Sequence, residues 1–538
     1  EKNQKGHRTQ TSPVLTSCGF DVRGDVQSAD YSSASGFQTL SSDFCRSHLC
    51  FLPFQVFFHF SCLLSLLVCV LLSGCSGSMS HYAGVDRSLS AGNPGQAVEI
   101  IQSAKKAYGK KDRLLYLLDH GMVLHLAGQF QESNEVLEEA YTLVEDLYTK
   151  RLRDEASALL VNEAQKPYEG TPQEHVLIPV IKALNYAMLQ QWPEALVEGR
   201  RIDHRLNVLH DRQEGTENYQ EDPFARYLVG FLYDMTGDLN NAYVGYRKAE
   251  QVYEDSLAWS RVALPDLLKA DLIRTAERLG LKDEAGEYRE KYPEVIDSIP
   301  STDSDPDSGK AQLLVLSYLG KGPRKEDLLI DVPVSLDALH LVALTKPGFA
   351  GSRRSRRGGE VLLYGIHGRI ARIALPRFSL QQNSLAYDRI QVKAGPTDMS
   401  ARSQDMDDIA AVAEKNLADD YDGLVLRAVA RTAMKMSAAE GLGLGARALS
   451  GRNNRDWIGP LVGGIARIFA LATEEADIRS WRTLPGAIQM TRLWVEPGEY
   501  SVSIQSMDTQ GREAGEVHHT RLQLKPGETR MVLHQNMQ

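Results

Sequence analysis

PFARYLVGFLYDMTGDLNNAYVGYRKAEQVY, Pro223 to Tyr253, is the stretch whose reading decides the fold. Gly230, Tyr233, Gly237, Ala242, Tyr246 and Ala249 alternate small and large positions along two helices that meet at Gly237-Asp238. Small residues let antiparallel helices approach, aromatic rings fill the space beside them, and glycine supplies the turn.

The same register recurs along the chain. LDHGMVLHLAGQFQESNEVLEEA places Gly121, Leu124, Gly128, Ser133, Leu137 and Ala140 at the matching positions. KALNYAMLQQWPEAL does so with Ala183, Tyr186 and Ala195. AGNPGQAVEIIQSAKKA, with Gly92, Ala97, Ile101 and Ala104, reads as the second helix of an earlier unit. ADLIRTAERLGLKDEAGEYREKYP, with Ala276, Gly280, Ala285 and Pro293, reads as a later one. This register resembles the tetratricopeptide (TPR) repeat. It predicts four or five units in a short α-solenoid over 75–299, with two longer insertions between units. A TPR stack presents the first helix of each unit on its concave face, which here includes Met122, His125, Leu184, Met188, Phe231 and Asp234. These residues either pack between repeats or line a groove for an extended peptide or a partner helix. The Arg- and His-rich segment Ala195 to Gly215, with Arg200, Arg201, Asp203, His204 and Arg205, reads as a solvated helix face with local pairs or as a partner site.

Past the solenoid, STDSDPDSG falls in a linker at 300–310. Its alternating aspartates are not an EF-hand loop, because Pro306 interrupts them and Leu314 stands where the bidentate Glu belongs. The remainder, 311–538, reads as α+β. The runs AQLLVLSYLG, ALHLVALT, EVLLYGI, RIARIAL and DRIQVKA predict strands over 311–395. Asp405 to Ala439 has apolar residues near a 3.6 period and starts a helical stretch over 405–473. Within that stretch GLGLGA, Gly441 to Ala446, follows a helix rather than a strand, so it reads as a connection and not a phosphate loop. IGPLVGGIARIFALAT, Ile458 to Thr473, is too short and Gly-broken for a membrane span and reads as a buried helix. The tail, 488–538, alternates apolar and polar residues around Pro497-Gly498 and Pro526-Gly527 and resembles a small β-sandwich module. His518 and His519 point to opposite strand faces and cannot chelate together. The loop with Arg353, Arg354, Arg356 and Arg357 reads as solvated, with anionic lipid or cell-wall polymer as the alternative contact.

The N-terminal segment up to Cys75 is organised differently. All six cysteines, Cys18, Cys45, Cys50, Cys62, Cys69 and Cys75, precede Ser76. Phe51 to Leu72 is almost uniformly apolar and runs into Leu72-Ser73-Gly74-Cys75. That ending resembles the bacterial lipobox, at which a lipoprotein signal peptide over 46–74 is cut before a diacylated cysteine. An uncleaved anchor is the alternative reading of the apolar run. The resemblance implies Cys75 as the lipidated first residue of the mature protein, and Ser76 after it implies the outer membrane. Residues 1–45 are Ser/Gln-rich and aperiodic. The first Met is Met79, so this stretch reads as a fragment's flank or as misread upstream sequence. With one lipidated thiol left, neither a structural disulfide nor a Cys-ligated metal is expected.

HExxH, GxSxG, P-loop and CxxC motifs are all missing from the sequence. A formal net charge of −10 argues against a nucleic-acid binder. KPYEGTPQEHVLIPVIKALNYAMLQQWPEALVEGRRID, DPFARYLVGFLYDMTGDLNNAYVGYRKA, IARIALPRF and ADIRSWRTLPGAIQMTRLWVEPGEYSV together resemble a family of uncharacterised bacterial outer-membrane lipoproteins with TPR-like repeats. The resemblance covers roughly 80–538. It implies a palmitate-type lipid anchor, a periplasm-facing body and a non-catalytic role; together with the TPR-like groove this predicts a scaffold or assembly factor that binds an envelope protein through that groove, without cofactor or metal. The alternatives are a peptidoglycan- or glycan-binding protein and an envelope enzyme with a diffuse site.

Overall fold

The computed structural model describes residues 80–154, 163–211, 221–299, 309–333, 370–379, 383–395, 397–425, 427–429, 431–432 and 475–538. Cys75 and the apolar run before it, the aspartate-rich linker at 301–308, the strands expected at 338–345 and 360–366, the Arg353–Arg357 loop, GLGLGA and the 458–473 segment lie outside the described residues. Residues 76–538 belong to one compact unit.

Five helical hairpins follow one another: α1 (Tyr82–Ser90) with α2 (Pro94–Ser103), α3 (Arg113–Leu126) with α4 (Phe130–Asp154), α5 (Pro172–Met188) with α6 (Trp192–Asp211), α7 (Pro223–Met235) with α8 (Leu239–Ser260), and α9 (Asp266–Arg278) with α10 (Lys282–Lys291). They form a TPR-like solenoid. Each hairpin reverses through one left-handed residue, with φ between 61° and 83°: Gly92, Gly128, Gln190, Gly237 and Gly280. In each, the next residue donates its N–H to the carbonyl five positions back, as Asp238 does to Tyr233 at 3.0 Å. This closes the first helix with a Schellman turn. Glycine takes the left-handed region freely, whereas Gln190 has a Cβ to accommodate. Its side-chain amide donates to Glu528 Oε1 at 2.8 Å.

The fourth hairpin is the tightest. A Cβ on Gly245 would stand 2.6 Å from the Gly230 Cα, and one on Gly230 would stand 2.8 Å from the Tyr246 ring. Tyr246 in turn fills the space beside that crossing and is fully buried.

Among the described residues three sheets follow. β1 (Ala311–Lys321) lies between β10 (Thr529–Asn536), parallel to it, and β7 (Pro485–Val495), antiparallel, with β6 (Gln404–Asp408) beyond β7. The second four-stranded sheet is antiparallel, in the order β5 (Thr397–Arg402), β4 (Leu385–Ala394), β8 (Gly498–Asp508) and β9 (Glu513–Leu524). β2 (Arg324–Pro333) and β3 (Ile370–Ser379) form a separate antiparallel ribbon.

Strand alternation shows how the layers stack. In β1, Leu314, Leu316 and Tyr318 enter the same apolar cluster as the helices. Ala311, Leu313 and Val315 point the other way, into a cluster with Ile390, Val392, Val502 and Ile504 of the second sheet. β10 divides likewise: Met531 and Leu533 go to the helices and Val532 to the second sheet. The β1 sheet is therefore a middle layer, covered on one face by the solenoid and on the other by a second sheet. AQLLVLSYLG is apolar at consecutive positions because both faces are buried.

Two expectations are corrected. The strands past 488 do not close into a module of their own: β7 and β10 flank β1, while β8 and β9 extend β4. Strand alternation reports which face is buried and not which strand lies alongside, and here β7 and β10 take the two edges of the central strand β1. The helix expected from Asp405 starts four residues later. Asp405–Asp408 pair with β7, and α11 (Ile409–Asp419) begins after Asp408, whose carboxylate caps Ala411 N–H at 2.9 Å.

Gly245→Ala should lower the unfolding free energy by about 2 kcal/mol despite its better helix propensity, because the new methyl meets backbone. Gly121→Ala meets only the Leu137 side chain, which can rotate, and should cost clearly less. Urea unfolding of the two variants measures the difference.

Candidate functional site

The first helices α3, α5 and α7 are buried on nearly every side. In α3, Leu114–Leu118 and Met122–Leu126 are all buried. A helix apolar all round is an interior helix. Its outer side packs on the second helix of its own hairpin, and its concave side packs on the β1 sheet. The groove of the solenoid is thus filled by the chain's own strands.

The contacts along it are mostly polar and specific. In the first hairpin Ser90 Oγ donates to the Met537 carbonyl at 2.9 Å. In the second, Asp119 accepts three hydroxyls, from Tyr82 at 2.5 Å, Tyr108 at 2.9 Å and Thr483 at 3.0 Å. Burial pushes the Asp119 carboxyl up to about 6, against those three donors. In the third, Glu174 closes a capping box with Thr171 and also accepts the Trp481 N–H at 2.7 Å and the Tyr168 hydroxyl at 2.6 Å. In the fourth, the Tyr253 hydroxyl donates to the Met406 carbonyl at 2.6 Å.

The joint at the fifth hairpin is ionic. Arg492 of β7 reaches into the solenoid and binds Asp271 of α9 through both ends, with its Nη2 also 3.1 Å from the Tyr227 hydroxyl. Asp271 in turn accepts from Arg274 at 2.9 Å, and Arg274 pairs with Asp234 of α7. Asp234 also accepts the Tyr246 hydroxyl at 3.1 Å. Two guanidinium groups and two carboxylates alternate, and the partly exposed Arg278 stands 3.8 Å from Asp234 at the end of the chain. Removing one member of such a set leaves a buried charge uncompensated.

His125 is the second polar centre. Asn185 donates its amide to Ser133 Oγ and Asn134 Oδ1, both at 2.9 Å, which leaves its Oδ1 to accept from His125 Nδ1–H at 2.5 Å. His125 Nε2 is then the acceptor for the Tyr318 hydroxyl, 3.0 Å away on β1. The network therefore assigns a neutral imidazole. Burial agrees with it, pushing the His125 pKa down to about 4.

The six residues expected on the concave face all belong to this interior. Met122, His125, Leu184 and Phe231 are fully buried. His125 meets Tyr318, Phe231 lies under the Arg492 guanidinium with 5.5 Å from its ring centre to the cation, and Asp234 holds Arg274. Met188 is half-buried against the same core. What sequence reasoning missed is the occupant. Arg492, Thr483, Trp481, Tyr318 and Met406 carry its side of the joint. The available signal was the run of consecutive apolar residues in each first helix, Leu114–Leu118 in α3, Val176–Ile181 in α5 and Tyr227–Tyr233 in α7, wider than the single apolar face an open groove leaves buried.

The Arg-rich segment pairs between helices more than within one. Arg201 bonds Glu138 of α4 at 2.7 Å as well as Glu198 at 3.2 Å, and Arg226 of α7 bonds Asp203 at 2.7 Å. His518 faces the His534 ring, 5.9 Å between centres, and His534 Nδ1 lies 2.6 Å from Asp388. Among the described residues, no group of three or more His, Cys, Asp or Glu is placed to hold a metal ion, and no helix is long and apolar enough to cross a membrane.

No family profile and no curated protein matches the chain. Solved structures similar to it include residues 41 to the end of MamA from Desulfovibrio magneticus RS-1, at 16% identity and TM-score 0.28, over 43% of this chain and 98% of that one. The putative kinesin light chain of Podosopora anserina, with nearly identical TPR-like repeats, is 15% identical at TM-score 0.28, over 41% of this chain and 96% of that one. The apo form of RapI is 13% identical at TM-score 0.30, over 45% and 60%. Likeness at this level carries no inference, and the TPR-like repeat is read from this chain's own five hairpins.

Arg492→Met should destabilise the protein by about 3–5 kcal/mol, and adding Asp271→Asn should recover part of that loss in a double-mutant cycle. His125 makes a prediction in pH. Its folded pKa lies below the ordinary value of 6.5, so its neutral form stabilises the joint above that value. This contribution is lost as pH falls from 6.5 toward 4, by up to about 3 kcal/mol. His125→Gln should flatten the pH dependence of thermal stability over that interval.

Proposed function

We propose that this protein is a scaffold of the bacterial envelope, tethered by lipid at Cys75 to the outer membrane and facing the periplasm, which engages a protein partner without catalysing a reaction. The observation that carries the scaffold reading is the solenoid closed on its own sheet. A TPR-like stack ordinarily offers its groove to another chain. Here five hairpins and two sheets are locked into one body through joints at every repeat. Ionisable groups displaced from their ordinary behaviour, Asp119, His125 and Asp234 among them, are sealed between layers and serve the joints. Such a body presents a rigid outer surface, and a partner would meet that surface rather than the filled groove.

The anchoring reading rests on the sequence Leu72-Ser73-Gly74-Cys75 at the edge of the apolar run and on the confinement of all six cysteines to the segment that ends there. A long apolar run followed by small residues and a cysteine fits peptidase cleavage and acylation of that thiol.

Cells expressing the protein and fed radiolabelled palmitate should label it, and Cys75→Ser should abolish the label; an unlabelled wild type removes the anchor. Crosslinking mass spectrometry in intact cells should recover one reproducible envelope protein joined to the solenoid's outer helices. Crosslinks confined to this chain alone would remove the scaffold reading.

A further inference from the structure

A second group of buried charges lies where α7 meets β6, and among the described residues no cation pairs with Asp222 or Asp407. Asp222 caps α7, its Oδ1 accepting the Ala225 N–H at 2.8 Å. Asp407 is in β6, at the point where the register against β7 shifts between Asp405 and Asp407. Asp222 is 0% exposed and Asp407 1%. Asp222 Oδ2 and both oxygens of Asp407 have no hydrogen-bond partner among the described residues. Asp407 lies in the field of Asp222 and Asp408, and the Asp408 amide approaches it short of a full hydrogen bond.

The surrounding groups are committed elsewhere. Arg226 of α7 binds Glu221, Asp203 and Asn207. The Tyr253 hydroxyl of α8 donates to the Met406 carbonyl. Arg261 pairs with Glu414 of α11 and lies 3.7 Å from Asp408, which caps α11. Gln173 of α5 donates to the Ile409 carbonyl, and Asp405 accepts from Gln489 of β7. Two ionised carboxylates sealed together without a counter-charge are strongly unfavourable. The pocket therefore demands a positive charge that the described side chains do not supply.

We propose that Asp222 and Asp407 share a proton, and that this protonated pair is a pH-sensitive latch holding the solenoid on its own sheet and loosening as pH rises. A carboxyl held above its unfolded value near 3.9 binds its proton more tightly in the closed form. Its contribution is complete below that value and is lost as pH rises through the folded one. Burial places Asp222 at about 6 and holds Asp407 well above the usual carboxylate range, so the latch weakens from about pH 5 upward. The pair titrates as a unit. His125 works in the opposite sense, weakening its own joint only as pH falls, and Asp119 acts at the separate Thr483 contact. The readout must therefore be local.

Hydrogen–deuterium exchange of the full-length chain at pH 5 and pH 8, corrected for intrinsic exchange, reads it directly. Amides of β6 and of the first turn of α7 should lose about tenfold in protection between the two pH values, the effect of losing the one proton that the pair shares. Asp407→Asn should reduce that change to less than twofold. So should Asp222→Asn, which keeps the helix cap and carries the test if the first variant misfolds, as judged by far-UV circular dichroism. A wild type with no local change, or variants that keep the full change, overturns the proposal. Protection at pH 8 that is restored by calcium or magnesium and lost to a chelator also overturns it, because a metal cation and not a proton would then occupy the pair.

Discussion

Arg492 is the pin of the structure. It is carried by β7, a strand of the middle sheet, yet its guanidinium is bound by Asp271 and Tyr227 of the solenoid. Its charge is balanced through Asp271, Arg274 and Asp234 in turn, so two adjacent hairpins and the sheet are settled by one ionic chain. Buried ions tolerate few arrangements, since each must find its counter-charge in the right geometry. The network therefore specifies how β7 is seated, and β7 brings β1 with it through their antiparallel ladder.

With β1 seated, the remaining layers follow from alternation. Its even-numbered residues enter the helical core and its odd-numbered ones meet the second sheet. Tyr318 then reaches His125, and the C-terminal strand β10 pairs parallel to β1 and returns Met537 to the first hairpin. A solenoid normally gains stability repeat by repeat from its neighbours. Here long-range joints from each hairpin to the sheet are added, which makes the assembly cooperative across its length. A groove closed in this way is unavailable to a partner unless the joints open, and at the seam of α7 and β6 the buried carboxylates of Asp222 and Asp407 have no counter-charge among the described residues.

The repeat was legible because its determinants are local. Gly230, Gly237, Ala242 and Tyr246 act within thirty residues of each other, and spacing alone reports their packing. Gln190 was harder to see. It occupies the left-handed turn position that glycine fills in the other four hairpins, and its side chain is held from Glu528, far along the chain. The strands of the tail were legible one by one, but their partners were not. Hydrogen-bond ladders leave no trace in the composition of the strand they join, so β8 and β9 gave no sign that β4 was their neighbour.

The sequence by itself determined the helical hairpins, their glycine turns and most of the described strands. Periodicity and turn chemistry are short-range properties that a chain carries in its own order. Only the tertiary structure decided what the six residues expected on the concave face meet. Asp234 and His125 read equally well as partner contacts or as buried polar groups. The choice depends on Arg492 and Tyr318, each about two hundred positions or more away, whose placement comes from a sheet that exists only once the chain has closed.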